Sequence, residues 1–211
     1  MMNRNLYPIH REGWRYLGYS FGAFILFMLL DMSIPALLSL VSLVFLAYVF
    51  KNPERITNYF DDNSVVSPVD GRVLAINNID DGEFGFCVEV LSSYTHTPAL
   101  RVPFIAKAHI QYRNHGARLS RFDTNFERLN DSAEILFQNG EKKLKVVHRC
   151  TQDFEGLHIE EFNEKAKLMQ GTRYGVMLQG VTYIYFPKDF RVNTSIGAEI
   201  RASETLLGYF A

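Results

Sequence analysis

From Tyr16 to Phe50 the chain is almost wholly apolar, and Asp31 is the only charged residue in that stretch. A single helix of that length would run roughly 52 Å, well past a hydrocarbon core of about 30 Å. Pro35 follows Asp31 closely, and a break there leaves two pieces of roughly 15–17 residues, each short for a span. The expectation is therefore a transmembrane-type segment folded as a tight helical hairpin that need not fully cross. Arg4, Arg11 and Arg15 precede it and Lys51 and Arg55 follow it. Positive residues on both flanks favour both ends on the cytoplasmic side. The apolar stretch is too long for a cleaved signal peptide, and no Ala-x-Ala site follows it. A hairpin buried in a soluble protein would carry a polar face, which this one lacks.

After Phe50 the texture changes, and short β-rich runs alternate with Gly, Asn, Asp and Pro. Arg72–Ile76, Phe86–Leu91, Ala106–Tyr112, Ala133–Phe137, Leu144–His148, Tyr174–Leu178 and Val181–Phe186 read as strands. Asn139-Gly140 reads as a hairpin turn between two of them. The polar run Asn163–Gln170 reads as a short helix or loop. Many short strands with frequent turns predict a mainly β fold, a compact sandwich or barrel-sandwich-like soluble domain. The division is residues 1–51, a membrane-anchoring helical hairpin, and residues 52–211, the β domain.

A formal net charge of -1 argues against a nucleic-acid partner. Cys87 and Cys150 lie far apart and match no metal-ligand spacing, and the six histidines form no HxxxH or HExxH pattern. No metal is expected, and the cysteines read as buried, reduced thiols.

Several segments together resemble the short bacterial and archaeal type of phosphatidylserine decarboxylase. They are Tyr7-Pro8-Ile9 with Glu12-Gly13-Trp14, then Lys51-Asn52-Pro53-Glu54-Arg55, then Val66-Ser67-Pro68-Val69-Asp70-Gly71-Arg72-Val73. Near the C-terminus come Gly171-Thr172-Arg173-Tyr174-Gly175, Tyr185-Phe186-Pro187 and Gly197 to Thr205. Their order and spacing over nearly the whole chain carry the resemblance.

The resemblance implies a chain that cuts itself between Gly and Ser. The serine hydroxyl attacks the preceding carbonyl with help from a histidine oriented by an aspartate. The serine then becomes a pyruvoyl group, the electron sink for decarboxylation. Asp70 matches the family's aspartate, although Pro-Val-Asp-Gly is also an ordinary turn. In the ungapped register Pro98 takes the place of the histidine and His96 falls two positions earlier. A gapped register would use His109 but loses the match of Arg101-Val102-Pro103. Arg101 is the candidate for a lipid headgroup.

The cleavage site departs most from the pattern. Here Gln179-Gly180-Val181-Thr182-Tyr183-Ile184-Tyr185-Phe186-Pro187 is one residue short, as though the serine were removed. Neither Gly180 nor Val181 can attack a carbonyl. Thr182 has a hydroxyl but follows a valine. The expectation is a degenerate, unprocessed member without a pyruvoyl cofactor, its triad reduced to Asp70 and His96. It would sit at the cell membrane with its soluble domain on the cytoplasmic side, and bind phospholipid or enzymes of phospholipid synthesis. The resemblance also leans toward a homodimer. The alternative is an active decarboxylase making phosphatidylethanolamine through an unrecognised nucleophile such as Thr182. Ser67–Val73 and Gly197–Thr205 also resemble parts of biotinyl and lipoyl domains, which carry a modified lysine on a hairpin. Lys142 and Lys143 follow the Asn139-Gly140 turn, but without the Met-Lys-Met or Asp-Lys-Ala context of those domains.

Overall fold

The computed structural model describes residues 8–55, 61–79, 82–163 and 166–211. Two compact units divide at Glu54 and Arg55.

In the first unit a 3-10 turn, Arg11–Gly13, leads into α1, Trp14–Leu29, and a short break precedes α2, Ser33–Val49. Asp31 has φ 54°, so the chain leaves α1 through a left-handed residue. The Met32 amide then donates to the Phe27 carbonyl (2.9 Å) and the Asp31 amide to that of Met28 (3.2 Å). These two bonds are a Schellman ending, which satisfies carbonyls that a helix end leaves open. Pro35 sits in the first turn of α2, where its missing amide costs no helical bond. The helices are tied midway by the Ser20 hydroxyl, which donates to the Ser39 carbonyl (2.9 Å). At the open end the His10 amide donates to the Phe50 carbonyl (2.9 Å) and the Asn52 amide to that of Pro8 (2.7 Å). Tyr16 stacks on Phe50, ring centroids 5.7 Å apart. A side chain at Gly13 would run into the Phe50 ring, its Cβ falling 2.5 Å from the ring's Cγ, so glycine lets this end close.

The helices have 16 and 17 residues, about 24 and 26 Å. Among the described residues no helix is long and apolar enough to cross a membrane. The transmembrane expectation is corrected accordingly: the break at Asp31 divides an apolar run that only as one helix would have had the length.

The second unit is antiparallel throughout its sheets. Its strands are β1 Ser64–Val66, β2 Gly71–Asn78, β3 Phe84–Ser92, β4 Ala99–Arg101, β5 Lys107–Asn114, β6 Ser132–Asn139, β7 Lys142–Cys150, β8 His158–Ile159, β9 Arg173–Val176, β10 Gly180–Pro187, β11 Arg191–Val192, β12 Glu199–Ile200 and β13 Leu206–Tyr209. A single helical turn, α3, Phe126–Leu129, lies between β5 and β6. A seven-stranded sheet has the order β12-β2-β3-β10-β7-β6-β5, and the three-stranded sheets are β1-β13-β11 and β4-β9-β8. All three feed one core, which includes Val65, Leu207, Leu100 and Tyr174 from the small sheets and Val88, Phe137 and Ile184 from the large one. Rings fill it in contact: Phe186 and Phe190 stack at 4.2 Å, and Phe104 meets Phe210 edge-on at 5.1 Å. The mainly β, sandwich-like reading with an N-terminal helical hairpin describes this arrangement.

Each run read as a strand overlaps one here. The β6–β7 turn is displaced by one residue: Asn139 pairs with Lys142, so Gly140 and Glu141 form the loop. Gly140 has φ 63°, which suits the first central position of a two-residue hairpin. The described part of Asn163–Gln170 is loop, joined to the fold by a bridge between Leu168 and Ala106.

Candidate functional site

The large sheet brings the Asp70 turn and the Gly180 junction to one end. Arg72 pairs with Leu91 across β2 and β3, and Gly180 pairs with both Ser92 and Cys150. Asp70 therefore sits two strand spacings from Gly180, roughly 10 Å at the usual inter-strand separation. The turn itself is pinned by the Ser92 hydroxyl, which donates to the Asp70 carbonyl (2.5 Å).

The Asp70 carboxylate is 6% exposed, and its oxygens are already engaged. Arg55 forms a two-pronged ion pair with it, one prong Nη2 to Oδ2 at 2.7 Å. The Ala202 amide donates to Oδ1 (2.7 Å) and the Thr97 amide to Oδ2 (3.2 Å). Burial pushes the carboxyl up, but the Arg55 guanidinium and the two amides more than offset this and hold it below its ordinary value. Arg55 also reaches the Ala202 carbonyl (3.0 Å) and the Thr97 hydroxyl (3.1 Å).

His96 turns elsewhere. Its Nδ1 accepts the Ser93 amide at 3.0 Å and lies 3.0 Å from the Ser93 hydroxyl. An Nδ1 that accepts leaves the neutral ring's proton on Nε2, 3.3 Å from Glu199 Oε2. The structure gives His96 no bond to Asp70; its neighbour Thr97 makes that contact through the main chain. Pro98, where the ungapped register expects a histidine, uses its carbonyl to accept the Met177 amide (2.9 Å). His109 lies on β5, the opposite edge strand of the sheet, five strand positions from β2, about 24 Å away.

Gly180 and Val181 begin β10, with partners on both sides. Glycine is required at position 180 by close approach: a Cβ there would lie 2.5 Å from the Arg149 carbonyl and 2.6 Å from Met177 Sδ. Asp153 holds the approach to this junction, accepting the amides of Leu178 (3.2 Å) and Gln179 (3.4 Å). Its burial pushes the carboxyl above its usual value, against the pull of these amides and that of Glu155.

Successive β10 side chains face opposite ways. Val181 and Tyr183 line a cleft of about 250 Å³ with Leu74, Glu89, Arg121 and Phe122. One wall is fixed by Glu127, which accepts the Tyr183 hydroxyl (2.8 Å) and pairs with Arg149. The residue after Gly180 thus faces the cleft, and it is an isopropyl group. A pyruvoyl group is made from a hydroxyl-bearing residue, and Val181 carries no hydroxyl.

Thr182 points into the core. Its Oγ1 is 2.9 Å from His148 Nδ1, and His148 Nε2 is 2.7 Å from the Tyr174 hydroxyl. Thr182 and His148 are fully buried and Tyr174 is 1% exposed. Burial, with Arg113's charge adding, pushes His148 down to about 3, so its ring is neutral at ordinary pH. Sequence reasoning missed this chain of three. His148 sits in an alternating β run with no spaced motif, and only the β7–β10 register places it opposite Thr182.

Arg101 is buried in β4, its Nη1 donating to the Gly171 carbonyl (3.1 Å). Lys142 and Lys143 do not project from the turn unpartnered: Lys142 reaches Asn63 Oδ1 (2.5 Å) and Lys143 reaches Glu83 (2.6 Å). Among the described residues no group of His, Cys, Asp and Glu is arranged to hold a metal ion.

No family model matches the chain, and no solved structure does. Curated proteins do match. A phosphatidylserine decarboxylase proenzyme of Geotalea uraniireducens (strain Rf4) is 26% identical, with 99% of each chain covered. Those of Syntrophotalea carbinolica (26%, 99% of each chain) and Geobacter sp. strain M21 (29%, covering 95% of this chain and 96% of the relative) are similar in the same way. End-to-end similarity to several such proenzymes, at 26–29% identity, supports membership of this chain in the phosphatidylserine decarboxylase family.

Proposed function

We propose that this protein is a membrane-anchored relative of phosphatidylserine decarboxylase that does not cut itself, forms no pyruvoyl group, and binds phospholipid or scaffolds enzymes of phospholipid synthesis at the cytoplasmic face of the cell membrane. One observation carries the reading. The residue that follows Gly180 and faces the cleft is Val181, which offers no oxygen for attack on the glycine carbonyl. Two further observations support it. Arg55 and two amides occupy the Asp70 oxygens, and His96 is bonded to Ser93 and near Glu199 instead. The cleft, with Arg121 at its rim, is the place where a headgroup would meet this end of the sheet. Intact-mass measurement of the purified chain should give the uncut polypeptide, and the chain should float with anionic vesicles. Two fragments, the second starting with a keto-acyl cap, would refute the unprocessed state, and failure to float would refute lipid binding.

The hydrogen bond between Thr182 and His148 favours a second reading, an active enzyme whose nucleophile is Thr182. Attack on the Val181 carbonyl with His148 taking the proton would place the cut between residues 181 and 182. The cap would then be 2-oxobutanoyl, one methylene heavier than pyruvoyl, so the same mass spectrum separates the two readings. Thr182→Val would abolish any such cut.

A further inference from the structure

The hairpin of the first unit exposes apolar side chains all round. Tyr19 and Leu29 on α1 are 75% and 78% exposed, and Ile34, Leu38 and Val44 on α2 are comparably open. Ser20 and Ser39 turn their hydroxyls to main-chain carbonyls, Ser20 to Ser39 and Ser39 to Pro35 (2.9 Å each). Internal satisfaction of this kind is what a hydrocarbon surrounding demands. The two ends of the hairpin differ. At the mouth, Lys51 Nζ lies 3.9 Å from the Tyr48 ring centroid and the Arg15 guanidinium 4.9 Å from that of Tyr16, beside Trp14. Aromatic rings and cations together suit the headgroup layer, and the cations suit anionic lipid. At the apex stand Leu29, Leu30, Asp31 and Met32, and residues 16–50 contain no basic residue. Main-chain bonds join Pro8 to Asn52 and His10 to Phe50, so the chain enters and leaves at the mouth.

We propose that the hairpin is re-entrant: it enters and leaves the bilayer through one leaflet, with the Trp14–Lys51 collar at the headgroups and the apex stopped inside the hydrocarbon. The length sets the depth. From Trp14 to Leu29 the helix rises about 24 Å, short of a core of about 30 Å, and the two ends of the hairpin lie on one side. The occupant of the exposed faces is lipid acyl chain. This inference rests on membrane binding and adds its geometry.

Trp14 is the single tryptophan and reports on the mouth. A Trp14→Phe, Leu30→Trp double variant of the full chain reports on the apex. Both are reconstituted in phosphatidylcholine–phosphatidylglycerol vesicles carrying lipids brominated at shallow or deep chain carbons, with iodide outside or trapped inside. The expected result is that native Trp14 loses most emission to shallow bromines and to outside iodide. The apex indole should lose most to deep bromines and nothing to iodide on either side. Quenching of the apex by trapped iodide would mean crossing, and quenching by shallow bromines and outside iodide would mean lying flat; either overturns the re-entrant geometry while membrane binding stands. No bromine quenching in either protein overturns membrane binding itself.

Discussion

The neutral, buried His148 makes the stability of the β unit sensitive to mild acid. Folding holds this ring at about 3, from an ordinary value of 6.5, chiefly because burial disfavours the charged form. In the unfolded chain the ring protonates as pH drops past 6.5, while the folded ring does not. The folded value lies below the unfolded one, so stability is complete above 6.5 and is lost as pH falls toward 3. Each pH unit within that window costs about 1.4 kcal/mol. Between pH 7 and pH 5 the loss from this one residue comes to about 2 kcal/mol. The assay is urea unfolding of the full chain in detergent at both pH values, followed by near-ultraviolet circular dichroism. His148→Gln keeps a donor and an acceptor near Thr182 and Tyr174 but does not titrate. It should be less stable at pH 7, and its drop between pH 7 and pH 5 should be about 2 kcal/mol smaller than that of the native chain. Equal drops in the two proteins would show that His148 is not held neutral by burial.

Three other outcomes are expected. Asp70→Asn strands the Arg55 guanidinium, whose side chain is 9% exposed, and should cost about 3 kcal/mol by thermal unfolding; a neutral effect would show the pair to be inessential. Because the carboxyl is held below its ordinary value of 3.8, the pair's contribution should persist at pH 5 and fade only as pH falls beneath that value. Gly180→Ala brings a methyl within 2.6 Å of the Arg149 carbonyl and Met177 Sδ and should cost about 1–3 kcal/mol, visible as a lower Tm; an unchanged Tm would contradict the tight approach of β7. Burial pushes the Cys87 thiol up to about 12, and Cys150 is buried too. Ellman's reagent at pH 8 should therefore react only after denaturation, and rapid reaction of the native chain would refute their enclosure.

Strands with clear alternation could be read from the residues alone, as for Leu144–His148 and Val181–Phe186. Two-residue strands such as β8, β11 and β12 could not, because a period of two needs more residues to declare itself. Arg55 read as a flanking charge of the apolar segment, whereas its guanidinium clasps Asp70. The pairing of Asp70 is a long-range matter that also draws in the amides of Thr97 and Ala202. The same holds for His148, whose partners Thr182 and Tyr174 lie in later strands. The valine that follows Gly180 was legible because it is a local feature of the sequence.

The placement of that junction bears on how its chemical state can be measured. Residues 181–211 hold nearly all of β10, a strand flanked on both sides by β3 and β7, together with β11, β12 and β13. A backbone nicked there would remain one particle, its two pieces interlocked by strand pairing and a common interior. Chromatographic size and secondary-structure content would scarcely register the scission. Only covalent mass distinguishes a whole polypeptide of this shape from a severed one.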